Sequence, residues 1–481
     1  MPVRQLEVMG GLYEAEAEVE VVQDEDALRR WFERARRTGE RVTLAGARRS
    51  FGEQYLPPKG GIVLDLAGFA AGARELETEA DGSIWISAGG GTTFKDLRAA
   101  FPGHRVYCPP TTDTISLAGA LSACTHNSGG YFADSVRAFS LSCPNGQSYE
   151  CSRRAEGLAH DLFEHVPGSF GAFGVITRLE LRLAPLAPGQ EVLVHAIYAG
   201  RSESGAYLSY LEQAADNPRF REGAGAVVYG NRGHSIVLGD ELLPAGVHQK
   251  GPPALLTDDR VGQQAITQSL VNRVPRLAEW LVSRTYQQGA VRVAPSYGFQ
   301  FFQRGFDEAH RRLSRPGVTS ALLRLCGVRK RMPVCHTAWF FPRSELREFT
   351  EGYFDTLSRY PGIERVVEQQ DYVLLEPSQW PCHSMGRTEF PLGVLTASFS
   401  VARGGDMEHR VRCFFRDVSR DCRSFSPGAR ISLCKQVHAD DEVLRSMHKG
   451  FVSAVQTLRA EVDPTGILTS RMLTSLGVAR A

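Results

Sequence analysis

No stretch of the sequence is both long and apolar enough to span a bilayer. The most apolar runs, such as Ile62 to Phe69 with Asp65 in its middle, fall well short of the roughly 20 residues a spanning helix needs. A surplus of one charge is missing too: 55 Lys and Arg stand against 54 Asp and Glu, a formal net charge of +1. That balance gives the molecule no global attraction for nucleic acid, so none is expected as a partner. There is no long basic amphipathic face either, so no clear membrane association is expected. The opening MPVRQLEVMGGLYEAEAEVE is acidic and lacks the apolar centre of a secretory signal, which makes the cytoplasm the expected location. The 10 cysteines form no C-x-x-C pair and no metal-ligand spacing, so no metal site is expected and the thiols are read as reduced.

What is present is a globular composition: 42% hydrophobic and 23% charged residues, which excludes a mainly disordered chain. A length of 481 residues exceeds one ordinary core. The expected architecture is α+β in two domains, with boundaries at 1–185 and 191–424, and a C-terminal segment, 431–481, that returns to the first domain. In the first part, helical spacing runs from Asp26 to Thr38 and from Thr93 to Ala100. Short apolar strands are expected at Arg41 to Ala45, Gly61 to Leu66, Ser83 to Ala88, Val136 to Cys143, Gln147 to Cys151 and Val175 to Leu183. Asn145-Gly146 predicts a hairpin turn with positive φ at both residues. After the proline-containing linker Ala184 to Gln190, alternating runs at Val192 to Tyr198, Phe299 to Gln303, Val334 to Phe341 and Val394 to Val401 suit an antiparallel sheet. A helix over Gln263 to Gln287 and a loop over Pro252 to Asp259 complete the middle region. Toward the end, a short strand finishing at Lys435 precedes a helix from about Asp440 to Glu461, stopped by Asp463-Pro464-Thr465-Gly466, with His438 and His448 on its surface.

Three runs are dense in small residues. In Leu44 to Gly52, a strand feeds the loop Gly46, Ala47, Arg48, Arg49, Ser50 and Phe51. Successive N–H groups of such a loop can form a nest for phosphate oxygens, although a surface turn with solvated arginines has the same composition. The run from Cys108 to Gly130 places Pro110, Thr111, Thr112 and Ser116 ahead of Gly119, Ala120, Ser122 and Ala123. Thr125, His126, Ser128 and Gly129 close it. In Pro167 to Ile176, Gly171 and Gly174 lead into Val175 and Ile176. It is not G-x-G-x-x-G and no helix follows, so a Rossmann dinucleotide site fails on context.

Together these runs, with the strand–turn–helix of Ala88 to Leu97, resemble the FAD-binding domain of the vanillyl-alcohol oxidase / p-cresol methylhydroxylase (PCMH) superfamily. The resemblance covers roughly residues 20 to 185. It implies a PCMH-type FAD-binding domain plus a substrate, or cap, domain built on an antiparallel sheet. It also implies that the Gly46–Phe51 loop holds the diphosphate and that the two later runs lie along the flavin. The C-terminal run Leu433-Cys-Lys-Gln436 and the segment Val462 to Ser470 look like the sugar- and polyol-oxidising branch. That branch includes aldonolactone and alditol oxidases, and the likeness is greatest to decaprenylphosphoryl-ribose 2-oxidases. Family members that bind FAD covalently carry a histidine in the first loop. Here no His or Cys lies between Gly46 and Gly52, which implies non-covalent FAD. Asn127-Ser128 and Pro377 to Met385 depart from that branch by lacking lysines.

The implied chemistry is oxidation of a hydroxyl by hydride transfer to flavin N5, with a sugar or polyol as the small-molecule partner. The product carbonyl is either final or the midpoint of an epimerisation finished by a partner reductase. Lys435 and His336 are the catalytic candidates: an ammonium to stabilise negative charge, and an imidazole to take a proton. Tyr372, Glu389 and His383 are weaker ones. Thr125 is bulkier than glycine where the family's flavin meets oxygen, implying a poor reaction with oxygen. A lactone or 2-hydroxyacid dehydrogenase, and a non-catalytic flavin-binding subunit, are the alternatives.

Overall fold

The computed structural model describes residues 2–9, 11–108, 110, 113–127, 130–186, 192–199, 208, 224–229, 235–242, 290–293, 334–363, 368–401 and 403–479. The expected strand Phe299 to Gln303, helix Gln263 to Gln287 and loop Pro252 to Asp259 lie outside these residues. The fold is mixed α+β, with an antiparallel sheet apart from the glycine-rich N-terminal part.

The first sheet holds β1 (Val3–Glu7), β2 (Glu14–Val21), β3 (Val42–Ala45) and β4 (Ile62–Asp65) in the order β1-β2-β4-β3. β2, β4 and β3 run parallel, whereas β1 is antiparallel to β2. β2 was readable but unexpected: EAEAEVEV alternates strictly, burying Ala15, Ala17 and Val19 and turning its glutamates outward. Helix α1 (Glu25–Thr38) starts where the Asp24 carboxylate accepts the Ala27 N–H at 2.7 Å, and it buries Leu28, Phe32 and Ala35.

The second sheet contains β5 (Arg74–Thr78), β6 (Ile84–Gly89), β7 (His104–Val106), β10 (Val136–Ser142), β11 (Ser148–Ser152) and β12 (Val175–Pro185). A two-stranded ribbon, β8 (His126–Asn127) and β9 (Gly130–Tyr131), sits between β7 and β10 in the chain. The turn joining β10 and β11 differs from the expected one. The Gly146 N–H donates to the Cys143 carbonyl at 3.0 Å, and Gly146 but not Asn145 has positive φ, so the loop is longer than a two-residue turn. After β6, a Cβ on Gly90 would lie 2.1 Å from the Ile176 carbonyl oxygen, so backbone contact requires glycine there. Thr93 then caps α2 (Phe94–Ala100) in a capping box with Asp96, and Ser116 caps α3 (Leu117–Ser122). α4 (Leu158–His165) packs near β11.

The third sheet has eight antiparallel strands. They are β13 (Val192–Ala199), β14 (Ala224–Tyr229), β15 (Ser235–Leu242), β16 (Ala290–Val293), β17 (Val334–Pro342), β18 (Glu368–Leu375), β19 (Leu392–Ser400) and β20 (Arg430–Ile431). Side chains alternate along β17. Cys335, Trp339 and Phe341 pack under α5 (Leu346–Ser358) and α6 (Asp406–Phe425), while Ala338 and Phe340 join the core of the second sheet. By this period of two, His336 on β17 and Ser398 on β19 share the face turned toward the N-terminal part.

Three C-terminal expectations are corrected. The strand ends at Ile431, and Lys435 lies beyond it in a turn, because Leu433 and Cys434 leave the ladder. The expected single helix is two, α7 (Asp441–Met447) and α8 (Lys449–Val462). His448 leaves helical geometry (φ −108°, ψ 26°) and buries its ring. His438 and His448 are therefore interior residues, 6% and 3% exposed, and not on a helix surface. The chain then docks on β3. Val42 donates its N–H to the Ile467 carbonyl, and the Thr469 N–H donates to Val42, each at 2.9 Å. α9 (Arg471–Ser475) follows.

Candidate active site

The loop after β3 lies against the cap of α3. A Cβ on Gly46 would come within 2.6 Å of Ser116 Oγ. Arg48 takes a left-handed φ of 55° and pairs with the buried Asp65 carboxylate at 3.0 Å. Much of its charge is thus answered within the protein. Arg49 Nε is buried and has no hydrogen-bond partner among the described residues, which leaves it a donor for a ligand. Ala47 lies between, and the Ser50 carbonyl accepts the Met9 N–H at 3.0 Å.

The second run wraps around α3. Ser116 Oγ accepts the Gly119 N–H at 3.4 Å, and Ala120 is fully buried. The Ser122 carbonyl accepts the Phe170 N–H at 2.9 Å, and the Ala123 carbonyl accepts the Cys434 thiol at 2.9 Å. Thr125 donates to the Ala120 carbonyl at 2.9 Å, and His126 Nδ1 lies 3.3 Å from the Cys124 carbonyl. Pro110 is buried; Thr111, Thr112, Ser128 and Gly129 lie outside the described residues. In the third run, Gly171 is left-handed at φ 78°, and a Cβ on Gly174 would meet the Ser142 carbonyl oxygen at 2.5 Å. Val175 and Ile176 send their side chains into hydrophobic cores, so only their backbone can face a ligand.

The two catalytic candidates meet beside the first loop. The Phe51 ring lies 4.2 Å from the His336 ring, and Lys435 Nζ stands 5.7 Å from the Phe51 centroid. Gln54 Nε2 donates to the Leu433 and Lys435 carbonyls at 2.7 and 3.1 Å, anchoring the Lys435 turn to the N-terminal part. Sequence reasoning missed the residue that joins the pair, Gln436. Its Oε1 accepts the His336 N–H at 2.8 Å, its N–H donates to the His336 carbonyl at 3.0 Å, and its Nε2 donates to the Val334 carbonyl at 2.9 Å. The Gln436 carbonyl also accepts the Thr337 hydroxyl at 2.8 Å. Ser398, likewise missed, places Oγ 2.6 Å from His336 Nδ1. The period-two pattern of β17 and β19 is the signal that could have paired them.

A neighbouring aromatic group holds His126, Tyr131, Phe340 and His383, with His126 and His383 centroids 5.7 Å apart. Of the weaker candidates, His383 joins this group, Tyr372 is buried in the core under the helices, and Glu389 is exposed. Burial and the Lys435 charge push the His126 imidazole down to about 4, and the same causes hold His336 well below the ordinary histidine range. Both shifts favour the neutral imidazole at pH 7, which can accept a proton but holds it only weakly.

These residues fit an FAD. Main-chain N–H groups, a buried guanidinium nitrogen without a partner and a glycine pressed against a helix cap suit a diphosphate. Residues 17–152 match the FAD binding domain family. Two rice (Oryza sativa subsp. japonica) proteins are similar. Cytokinin dehydrogenase 2 is 31% identical over 171 residues, 33% of this chain and 28% of that protein. Cytokinin dehydrogenase 1 is 30% identical over 149 residues, 29% of this chain and 27% of that protein. The chain thus spans less than a third of the length of either relative. The matched residues include the Gly46–Phe51 loop, α3 and His126, so the part of the chain that carries these residues is similar to an FAD binding domain.

Proposed function

We propose that the protein is an FAD-dependent oxidoreductase that oxidises a hydroxyl of a sugar, polyol or sugar-bearing metabolite to a carbonyl, holding its FAD non-covalently. The observation that carries this reading is the meeting of Lys435 and His336 at Phe51, the last residue of the diphosphate loop. FAD, when bound, accepts the hydride from the carbinol carbon. His336, neutral and buried, takes the hydroxyl proton on Nε2, an atom with no partner among the described residues. The Lys435 ammonium stabilises negative charge that develops on the substrate oxygen or the reduced cofactor. The rice relatives' substrate, the cytokinin of their names, is not carried over, because the match spans under a third of their length.

The test is anaerobic mixing of the FAD-loaded protein with a panel of sugars and polyols, with 2-hydroxyacids, lactones and a cytokinin as comparators. Bleaching of the flavin absorbance by a sugar or polyol, slowed in Lys435→Ala and His336→Gln, is the expected result. Bleaching by a comparator alone, or by nothing, overturns the substrate reading.

A further inference from the structure

We propose that Ser398 is a positioning residue whose hydroxyl accepts the Nδ1 proton of His336, leaving Nε2 of that ring as the bare nitrogen on the face turned to the FAD-binding domain. His336 and Ser398 are direct partners across β17 and β19, and Nδ1 and Oγ are 2.6 Å apart. The ring cannot easily turn away from this contact. Gln436 grips the His336 backbone at both its N–H and its carbonyl, and Phe51 covers the ring at 4.2 Å. A neutral imidazole carries one proton, and the partner of one nitrogen decides which one holds it. A serine hydroxyl can either donate or accept, so distance alone permits both tautomers. Nε2 breaks the tie: it is buried with no partner among the described residues. A buried N–H without an acceptor is rarer in folded proteins than an acceptor without a donor, so the proton belongs on Nδ1. The charged and titratable groups acting on the ring are Lys435 and His438, and with burial they keep it neutral.

The effect on turnover rests on the reading of His336 as the base; the tautomer does not. In that reaction the substrate O–H bond breaks and its proton goes to Nε2. The hydride passes from carbon to oxidised FAD, and the imidazolium keeps its other proton on Nδ1 against Ser398. Without Ser398 the ring would divide between two tautomers, and only one can take the proton.

The experiment combines nitrogen-15 NMR of histidine-labelled protein, with His336 assigned from His336→Gln, and anaerobic flavin-reduction kinetics. In the unaltered protein at pH 7, Nδ1 should be protonated and Nε2 bare. Ser398→Ala should give a mixed tautomer and a roughly 10-fold slower flavin reduction with unchanged FAD affinity. Ser398→Thr should restore both. A protonated Nε2 in the unaltered protein, or a Ser398→Ala protein that keeps the Nδ1 tautomer, overturns the proposal. A tautomer that shifts as expected while His336→Gln keeps full rate supports the positioning role and removes the base assignment instead.

Discussion

The backbone N–H of His336 donates to Gln436 Oε1 at 2.8 Å, and the backbone N–H of Gln436 donates back to the His336 carbonyl at 3.0 Å. One glutamine thus fixes the strand that carries the imidazole and the turn that carries Lys435. Replacing it with leucine would leave the buried His336 N–H and the half-buried Val334 carbonyl without this partner. At about 1–3 kcal/mol for each such group, Gln436→Leu should destabilise the protein by roughly 2–6 kcal/mol. Urea unfolding measures this, and a loss below about 1 kcal/mol would show that water or neighbours replace the glutamine.

Gly52 presses on the same turn from the other side. A Cβ there would sit 2.4 Å from the Lys435 carbonyl oxygen, and backbone cannot swing aside as a flexible side chain can. Gly52→Ala should therefore displace the Lys435 turn and slow flavin reduction while FAD still binds. If reduction is unchanged, the position of Lys435 does not limit the rate.

The Gly46–Phe51 loop contains neither His nor Cys, so it offers no imidazole or thiol to join the flavin ring. Acid precipitation of the yellow protein should leave the colour in the supernatant. A yellow pellet would assign a covalent link to another residue.

His336, His383, His438 and His448 are buried and His126 is half-buried, and desolvation is the first cause pushing each imidazole below its usual range, His126 to about 4 and His438 to about 3. The unfolded chain protonates them near pH 6.5, so between that pH and the folded values it binds more protons than the native state. Stability from these groups is complete above about pH 6.5 and is lost as pH falls toward 4. Each shifted histidine contributes a slope of up to about 1.4 kcal/mol per pH unit in that window. Urea midpoints at pH 7.5, 6.5, 5.5 and 4.5 should fall increasingly steeply, and level midpoints would count against neutral burial.

Much of this was legible from local pattern. Helix α1 follows from its apolar stripe, and β17 from alternation. The small-residue runs at Gly46 and Ser116 were legible one by one; in space Gly46, just after β3, meets Ser116 at the cap of α3. Less legible were contacts set by distant packing. Gln436, 100 residues from His336, carries no periodic signal. His448 sits in an unbroken helical pattern, but its burial splits that helix. Asn145-Gly146 marked a hairpin correctly, yet the Cys143 carbonyl set a longer turn.

The buried pair of Arg459 and Asp463 gives the sharpest stability test. Asp463 accepts Arg459 Nη2 at 2.8 Å and also the Ile467 and Leu468 N–H groups at 2.8 and 3.0 Å, just where the chain returns to β3. Arg459 donates in turn to the carbonyls of Val478 and Leu468. Removing one partner leaves a buried charge uncompensated, which typically costs about 3–5 kcal/mol. Asp463→Ala should therefore lose that much in urea unfolding and loosen the docking of Ile467 to Thr469 on Val42. Faster amide hydrogen exchange at Val42 and Thr469 would register the loosening. Arg459→Met combined with Asp463→Leu removes both charges, so it should be clearly more stable than Asp463→Ala alone. If the double variant is no better than the single one, the cost lies in the lost N–H acceptors of the turn and not in the stranded guanidinium.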